Sequence, residues 1–208
     1  MINALEALAR LQEGNRRFVS DESRSEIDSS HARRLSLVPG QEPFAIVLGC
    51  SDSRAPAELI FDQGLGDLFV IRVAGNIVAP SQVGSVEFAA EAFGTRLVVV
   101  VGHSQCGAIT ATVDELMGGA ASASLNLRSI VDRVRPAVSP LLARVHGREA
   151  LLAESVRANV RASVDGLRHG SELIERLVRE DGLLVVGAEY SLESGVVEFF
   201  EGVPSLRR

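Results

Sequence analysis

The sequence contains no lysine and no tryptophan, one tyrosine, and only two cysteines among its 208 residues. Without lysine, neither Schiff-base chemistry nor the lysine of a phosphate-binding P-loop is available. Two cysteines in a chain without an export signal do not make a disulfide framework. The N-terminus, MINALEALARLQEGNRRF, mixes acids with arginines and lacks the basic-then-apolar layout of a signal peptide. No apolar run approaches the roughly 20 residues of a membrane span; the best, Leu97 to Val101, is the length of a strand. A net charge of −6, with no basic cluster longer than two residues, gives nucleic acid little electrostatic footing. What is left is a cytoplasmic protein acting on something small, with neither nucleic acid nor membrane as partner. Its 46% hydrophobic content excludes disorder across the chain and suffices for a buried core.

The apolar residues fall into two patterns. Ile2, Leu5, Leu8, Leu11 and Phe18 keep mostly helical spacing, which predicts an amphipathic helix over residues 1–19. Ser20 to Ser36 has no apolar period and reads as a loop or an extended arm. Residues 1–36 together are expected to pack on a partner subunit, with the whole chain, 1–208, forming one domain. Beyond Pro39 and Gly40, four runs are short and rich in β-branched residues: Phe44 to Leu48, Leu68 to Val73, Leu97 to Val101 and Leu183 to Val186. Near-continuous apolar runs suit strands buried on both faces of a parallel sheet. Helical patterns lie between them, around Ala55 to Asp62, Val83 to Phe93, Ala108 to Met117, Leu152 to Leu167 and Ser171 to Arg179, with Gly182 at a helix end. The expected fold is α/β, an open and mainly parallel sheet flanked by helices. Ligands of such sheets bind beyond the carboxyl ends of the strands.

Two strands end alike there. FAIVLG runs into Cys50-Ser51-Asp52-Ser53-Arg54, and RLVVVVG runs into His103-Ser104-Gln105-Cys106-Gly107. If the two strands are neighbours, Cys50, His103 and Cys106 meet at one edge. Two thiolates and an imidazole form a three-ligand zinc set whose fourth tetrahedral position stays open, the arrangement of catalytic rather than structural zinc. Two inert buried thiols are the plain alternative, but both cysteines follow strand ends in polar company.

CSDSR and GHSQCGA, together with EGNRRF (Glu13 to Phe18), FDQGLGDLFVIRVAGN (Phe61 to Asn76) and GSVEFA (Gly84 to Ala89), resemble the β-class carbonic anhydrases over nearly the whole chain. The resemblance implies one Zn²⁺ per chain on Cys50, His103 and Cys106, and reversible hydration of carbon dioxide to bicarbonate and a proton. It further implies a homodimer or tetramer. Two thiolates cancel the charge of the metal and weaken it as a Lewis acid, so a bound water should hold its proton harder than the roughly 7 of a tris-histidine site. Asp52 is the candidate acceptor to orient that water, with Arg54 locking its carboxylate through a bidentate pair. Released from Arg54, Asp52 could reach the metal and shut the site. By resemblance, Gln41 supplies a substrate-side amide and Gly107 a backbone donor. Phe69, Ala74 and Phe88 would be pocket walls, some across a dimer interface, though core packing explains the aromatics equally well.

Some members of that family hold a second bicarbonate between a tryptophan, an arginine and a tyrosine. Arg72 and Tyr190 match the last two, while Val47 stands at the tryptophan position, which argues against that site here. His31, His146 and His169 lie in polar contexts and read as surface residues. Gly64-Leu65-Gly66 precedes a strand and lacks the third glycine of a dinucleotide fingerprint. The competing expectations are a carbonyl sulfide or carbon disulfide hydrolase on the same fold, and a zinc- or bicarbonate-binding module without turnover.

Overall fold

The computed structural model describes residues 2–22, 30–120 and 124–204. In chain order the elements are α1 (Ala4–Val19), α2 (His31–Ser36), β1 (Ala45–Gly49), α3 (Ala57–Ile60), β2 (Leu68–Arg72), α4 (Pro80–Ala92) and β3 (Leu97–His103). There follow α5 (Gly107–Leu116), α6 (Leu125–Val138), α7 (Arg148–His169), α8 (Glu172–Glu180), β4 (Leu184–Tyr190) and β5 (Val197–Glu201). The strands form one sheet in the order β2-β1-β3-β4-β5. The first four run parallel, and β5 returns antiparallel to β4 past an irregularity at Gly187/Ala188.

Alternation along the strands sorts side chains to the two faces. Ala45, Val47, Leu97, Val99, Val101, Val186 and Ala188 face one way, where α1 and α3 contribute Ala7, Leu8, Leu11, Ile60 and Phe61. Ile46, Leu48, Val98, Val100 and Val185 face the other, covered by α4, α7 and α8 through Val86, Ala90, Val160, Val164, Leu167, Ile174 and Leu177. Each fully buried Val, Leu or Ile contributes about 1.5–3 kcal/mol, and this burial on both faces is why β1 and β3 are apolar until their carboxyl ends. A third apolar cluster wraps the carboxyl end of the sheet, joining Cys50 and Cys106 to Ile109, Val113, Val134, Val138 and Val156.

The N-terminal helix is fixed to its own chain. A capping box between Asn3 and Glu6 starts α1, and its apolar face lies on the sheet of the same chain. The EGNRRF segment explains the attachment. Asn15 is buried and its amide donates to Ile60 O and Gly195 O, at 3.0 and 2.9 Å, while its oxygen accepts from Val197 N at 2.8 Å. Gly14 passes so close to Phe61 O that a Cβ would stand 1.8 Å from it. Arg17 pairs with buried Asp62 at 2.5 Å.

Two expectations need correction. The segment after Ser20 is not loop throughout: α2 forms where Ser30 accepts from Arg33 N, and Arg33 Nε donates to Leu65 O of the same chain. Residues 23–29 of that expected arm lie outside the described residues. In addition, α6 and β5 correspond to no expected element. Pro136 sits in the last turn of α6 and breaks the helical signal, while β5 is a five-residue hairpin partner whose turn, Ser191 to Val196, carries it straight back along β4.

Asn15→Ala strands one buried and one partly buried carbonyl and one buried N–H, and is expected to cost about 2–4 kcal/mol in urea unfolding. Leu5→Ser, on the exposed face of the same helix, should cost less than about 0.5 kcal/mol.

Candidate metal centre

β1 and β3 are hydrogen-bonded neighbours with Gly49 opposite Val101, so Cys50 and His103 leave the sheet side by side at its carboxyl edge. The chain then turns through Gln105, whose φ is +55°, and Cys106 becomes the N-cap residue of α5. The two Sγ atoms are 4.0 Å apart, and with a His103 ring nitrogen all three donor atoms lie within 4.8 Å of one another. Cys50 is 6%, His103 1% and Cys106 2% exposed.

These donors fit a zinc ion. Tetrahedral zinc with Zn–S bonds near 2.3 Å places two sulfurs about 3.8 Å apart, close to the separation found. His103 Nδ1 lies 2.9 Å from Ser104 O, which accepts its proton and leaves Nε2 as the lone-pair nitrogen. That Nε2 is buried and has no hydrogen-bond partner among the described residues. A buried ring nitrogen aimed at two thiols and otherwise unsatisfied is costly, and a metal is what satisfies it.

The protonation pattern points the same way. The hydrogen bond from Cys106, helped by His103 and the Gly75 N–H, lowers the Cys50 thiol despite its burial. That same bond, burial and the Cys50 charge push Cys106 up. Two thiols in contact favour one charge over two, and the groups that face Cys50 favour it on that sulfur. For His103, burial disfavours the charged ring, but the Cys50 thiolate and the Asp52 charge outweigh it and raise its pKa.

Asp52 is held beside this cluster. Its Oδ2 is 3.8 Å from His103 Nε2. Arg54 occupies both carboxylate oxygens: Nε and the backbone N donate to Oδ1 at 2.9 Å, and Nη2 donates to Oδ2 at 2.7 Å. This grip holds the Asp52 carboxyl well below the usual carboxylate range. Arg54 also reaches Gln105 O at 3.4 Å, tying the two ligand-bearing loops together. Arg72 has a different role from the one its match to a second anion site suggests. Its guanidinium donates to Cys50 O at 2.9 Å and Asp52 O at 2.6 Å, clamping the loop from behind. Tyr190 is buried in register opposite His103, and its carbonyl accepts from Ser104 N. Val47 is wholly inside the sheet.

The remaining candidates are scattered. Gly107 opens α5 directly after Cys106, with clear space where a Cβ would stand. Ala74 begins the short turn Ala74–Asn76, whose Gly75 N donates to Cys50 Sγ at 3.3 Å. Phe69 and Phe88 are 6.2 Å apart in a cluster with Phe93, by the open β2 edge. Gln41 is exposed and lines a groove with Arg10, Phe44 and Phe93 that includes none of the three ligands. His31, His146 and His169 are exposed. The Arg72 clamp and the Gly75 donor carry no motif of their own; both sit inside the FDQGLGDLFVIRVAGN stretch.

Residues 45–197 match the family described as carbonic anhydrase. Carbonic anhydrase 2 of Mycobacterium tuberculosis is 37% identical over 193 residues, covering 93% of this chain and 91% of that protein. Among solved structures, the β-carbonic anhydrase CafA of Aspergillus fumigatus superposes with a TM-score of 0.74 at 25% identity, covering 96% of this chain and 91% of its own. The β-carbonic anhydrase CcaA gives 0.72 at 27%, covering 97% and 94%.

This chain belongs to the β-class carbonic anhydrases. The family uses zinc, and Cys50, His103 and Cys106 form a donor set that fits it.

Because the neighbouring Cys50 and burial push the Cys106 thiol up, zinc binding at pH 7 should release about one proton or more per ion. Calorimetry in buffers of different ionisation enthalpy measures that release. Zinc affinity should rise with pH, because protons compete for the donor atoms, and a pH-independent affinity would contradict the ligand assignment.

Proposed function

We propose that Asp52 and Arg54 form the catalytic dyad with which this carbonic anhydrase hydrates carbon dioxide to bicarbonate and a proton. The observation that carries the reading is the carboxylate whose two oxygens are both engaged by Arg54 while one of them faces the cluster of metal donors. Zinc, when bound, supplies Lewis-acid activation of a water for attack on carbon dioxide. The chain supplies the rest. Asp52 accepts a hydrogen bond from the attacking water and orients it. Arg54 keeps the carboxylate ionised and away from the donor cluster, and the Gly107 N–H at the start of α5 is the donor for the product anion. A module that only bound metal would have no use for a carboxylate restrained in this way. No feature of the site favours carbonyl sulfide or carbon disulfide.

We further propose that the active assembly is a homodimer or larger, formed along β2. That strand is an edge of the sheet, and the aromatic cluster beside it leaves Phe88 55% exposed. Exposed apolar surface at an unpaired strand is a surface to be covered. Phe88 and Gln41 lie apart from the ligands of their own chain, and serve a substrate pocket only across such an interface. The cytoplasm is the compartment this reading assigns, since two free thiols must stay reduced to bind metal. No described helix is long and apolar enough to cross a membrane.

Arg54→Ala tests the dyad: the variant should keep one zinc per chain and lose about a hundredfold or more in stopped-flow hydration. The wild-type rate should fall towards acid while Asp52 remains ionised, because Arg54 keeps that carboxyl below the range being scanned. A zinc-loaded Arg54→Ala enzyme with full activity contradicts the proposal. Phe88→Arg should lower the mass seen by light scattering and the activity together.

A further inference from the structure

The turn Ala74–Asn76 meets the metal centre through one backbone donor, the Gly75 N–H on Cys50 Sγ. Its conformation is not one that the chain holds unaided. Gly75 has φ +71° and Asn76 φ +43°, two consecutive left-handed residues of which the second is not glycine. The Asn76 Nδ2 does not secure the turn, since it is buried without a partner among the described residues.

The turn is held from α7 instead. Asn159 Nδ2 donates to Gly75 O at 2.8 Å and Ser163 Oγ donates to Asn76 O at 3.0 Å. Four residues apart, they stand one above the other on a single helix face, and both are buried. From the opposite side Gly75 packs on Ala108, so closely that a Cβ would stand 3.0 Å from the alanine's own. Fixing both carbonyls against that packing fixes the direction of the Gly75 N–H.

We propose that Asn159 and Ser163 are positioning residues for the metal ligand Cys50, holding the Ala74–Asn76 turn so that the Gly75 N–H meets its sulfur. This rests on the reading of Cys50 as a zinc ligand. A hydrogen bond to a coordinating thiolate withdraws electron density from it and fixes its orientation, so its loss changes both the donor strength of the sulfur and the affinity for the ion. Buried Asn and Ser that merely satisfied two carbonyls would affect stability alone.

Cobalt(II) in place of zinc separates the two roles, because its sulfur-to-metal charge-transfer band reports on the thiolates directly. Asn159→Ala and Ser163→Ala should bind one cobalt per chain with that band displaced, and should hold zinc about tenfold more weakly in chelator competition. Ser163→Thr retains the hydroxyl and should restore the wild-type band. Ser155→Ala, removing a buried hydroxyl on the same helix with no partner among the described residues, should leave band and affinity unchanged. Variants that unfold more easily yet keep the wild-type band and affinity overturn the proposal. If Asn159→Ala does not fold, Ser163→Ala decides by the same two readouts. A wild-type chain without the band overturns the reading of the metal centre itself, and the proposal with it.

Discussion

The pairing of β1 with β3 is the constraint on which the site depends. Cys50 and His103 are 53 positions apart in the chain, and only the parallel ladder that sets Gly49 against Val101 brings them to one edge. A parallel neighbour requires a crossover, and here that crossover includes β2 and α4, so the metal centre presupposes half the fold. A slip of one residue in either strand would turn its apolar side chains to the wrong face. Burial of Ile46, Leu48, Val98 and Val100 on one side and of Val47 and Val99 on the other makes such a slip costly. The hydrophobic sheet thereby sets the donor positions.

Around those donors, the polar groups are arranged to make a buried, charged site tolerable. Cys50 sits inside an apolar cluster, where a sulfur that is to carry charge needs donors facing it. It receives the Gly75 N–H and its share of the proton held with Cys106. Cys106 stands at the N-terminus of α5, where free backbone N–H groups favour negative charge. Arg72 and Arg54 are placed differently and do different things. Arg72 binds carbonyls and stiffens the loop, whereas Arg54 binds the Asp52 carboxylate and leaves it charged. The two arginines are alike as residues, and only their partners distinguish a clamp on backbone carbonyls from a grip on a carboxylate.

Much of this was legible in the residues. Strands buried on both faces announce themselves as unbroken runs such as LVVVV, and a ligand directly beyond such a run can be located because the strand must end there. The meeting of the three donors and the Asp52–Arg54 pair were readable for that reason. Other features depend on distance in space and leave no local trace. Asn159 and Ser163 look like ordinary polar positions on the face of a long helix. Asn15 reads as one more polar residue of α1, yet it joins that helix to Ile60 and to the β4–β5 turn. That attachment holds one face of α1 against its own sheet, which an amphipathic pattern alone does not specify. Pro136 obscures α6 in the sequence, because a proline lacks the backbone donor and crowds the preceding turn, yet the helix runs on through it to Val138.

The central claim is that two strand ends deliver two sulfurs and one imidazole to a single zinc ion and leave one position for a light-atom ligand. X-ray absorption at the zinc edge of the loaded protein tests it most directly. The account predicts two sulfur neighbours at about 2.3 Å and two nitrogen or oxygen neighbours at about 2.0–2.1 Å. A zinc ion with any other number of sulfurs, or a chain that takes up no zinc, would contradict it.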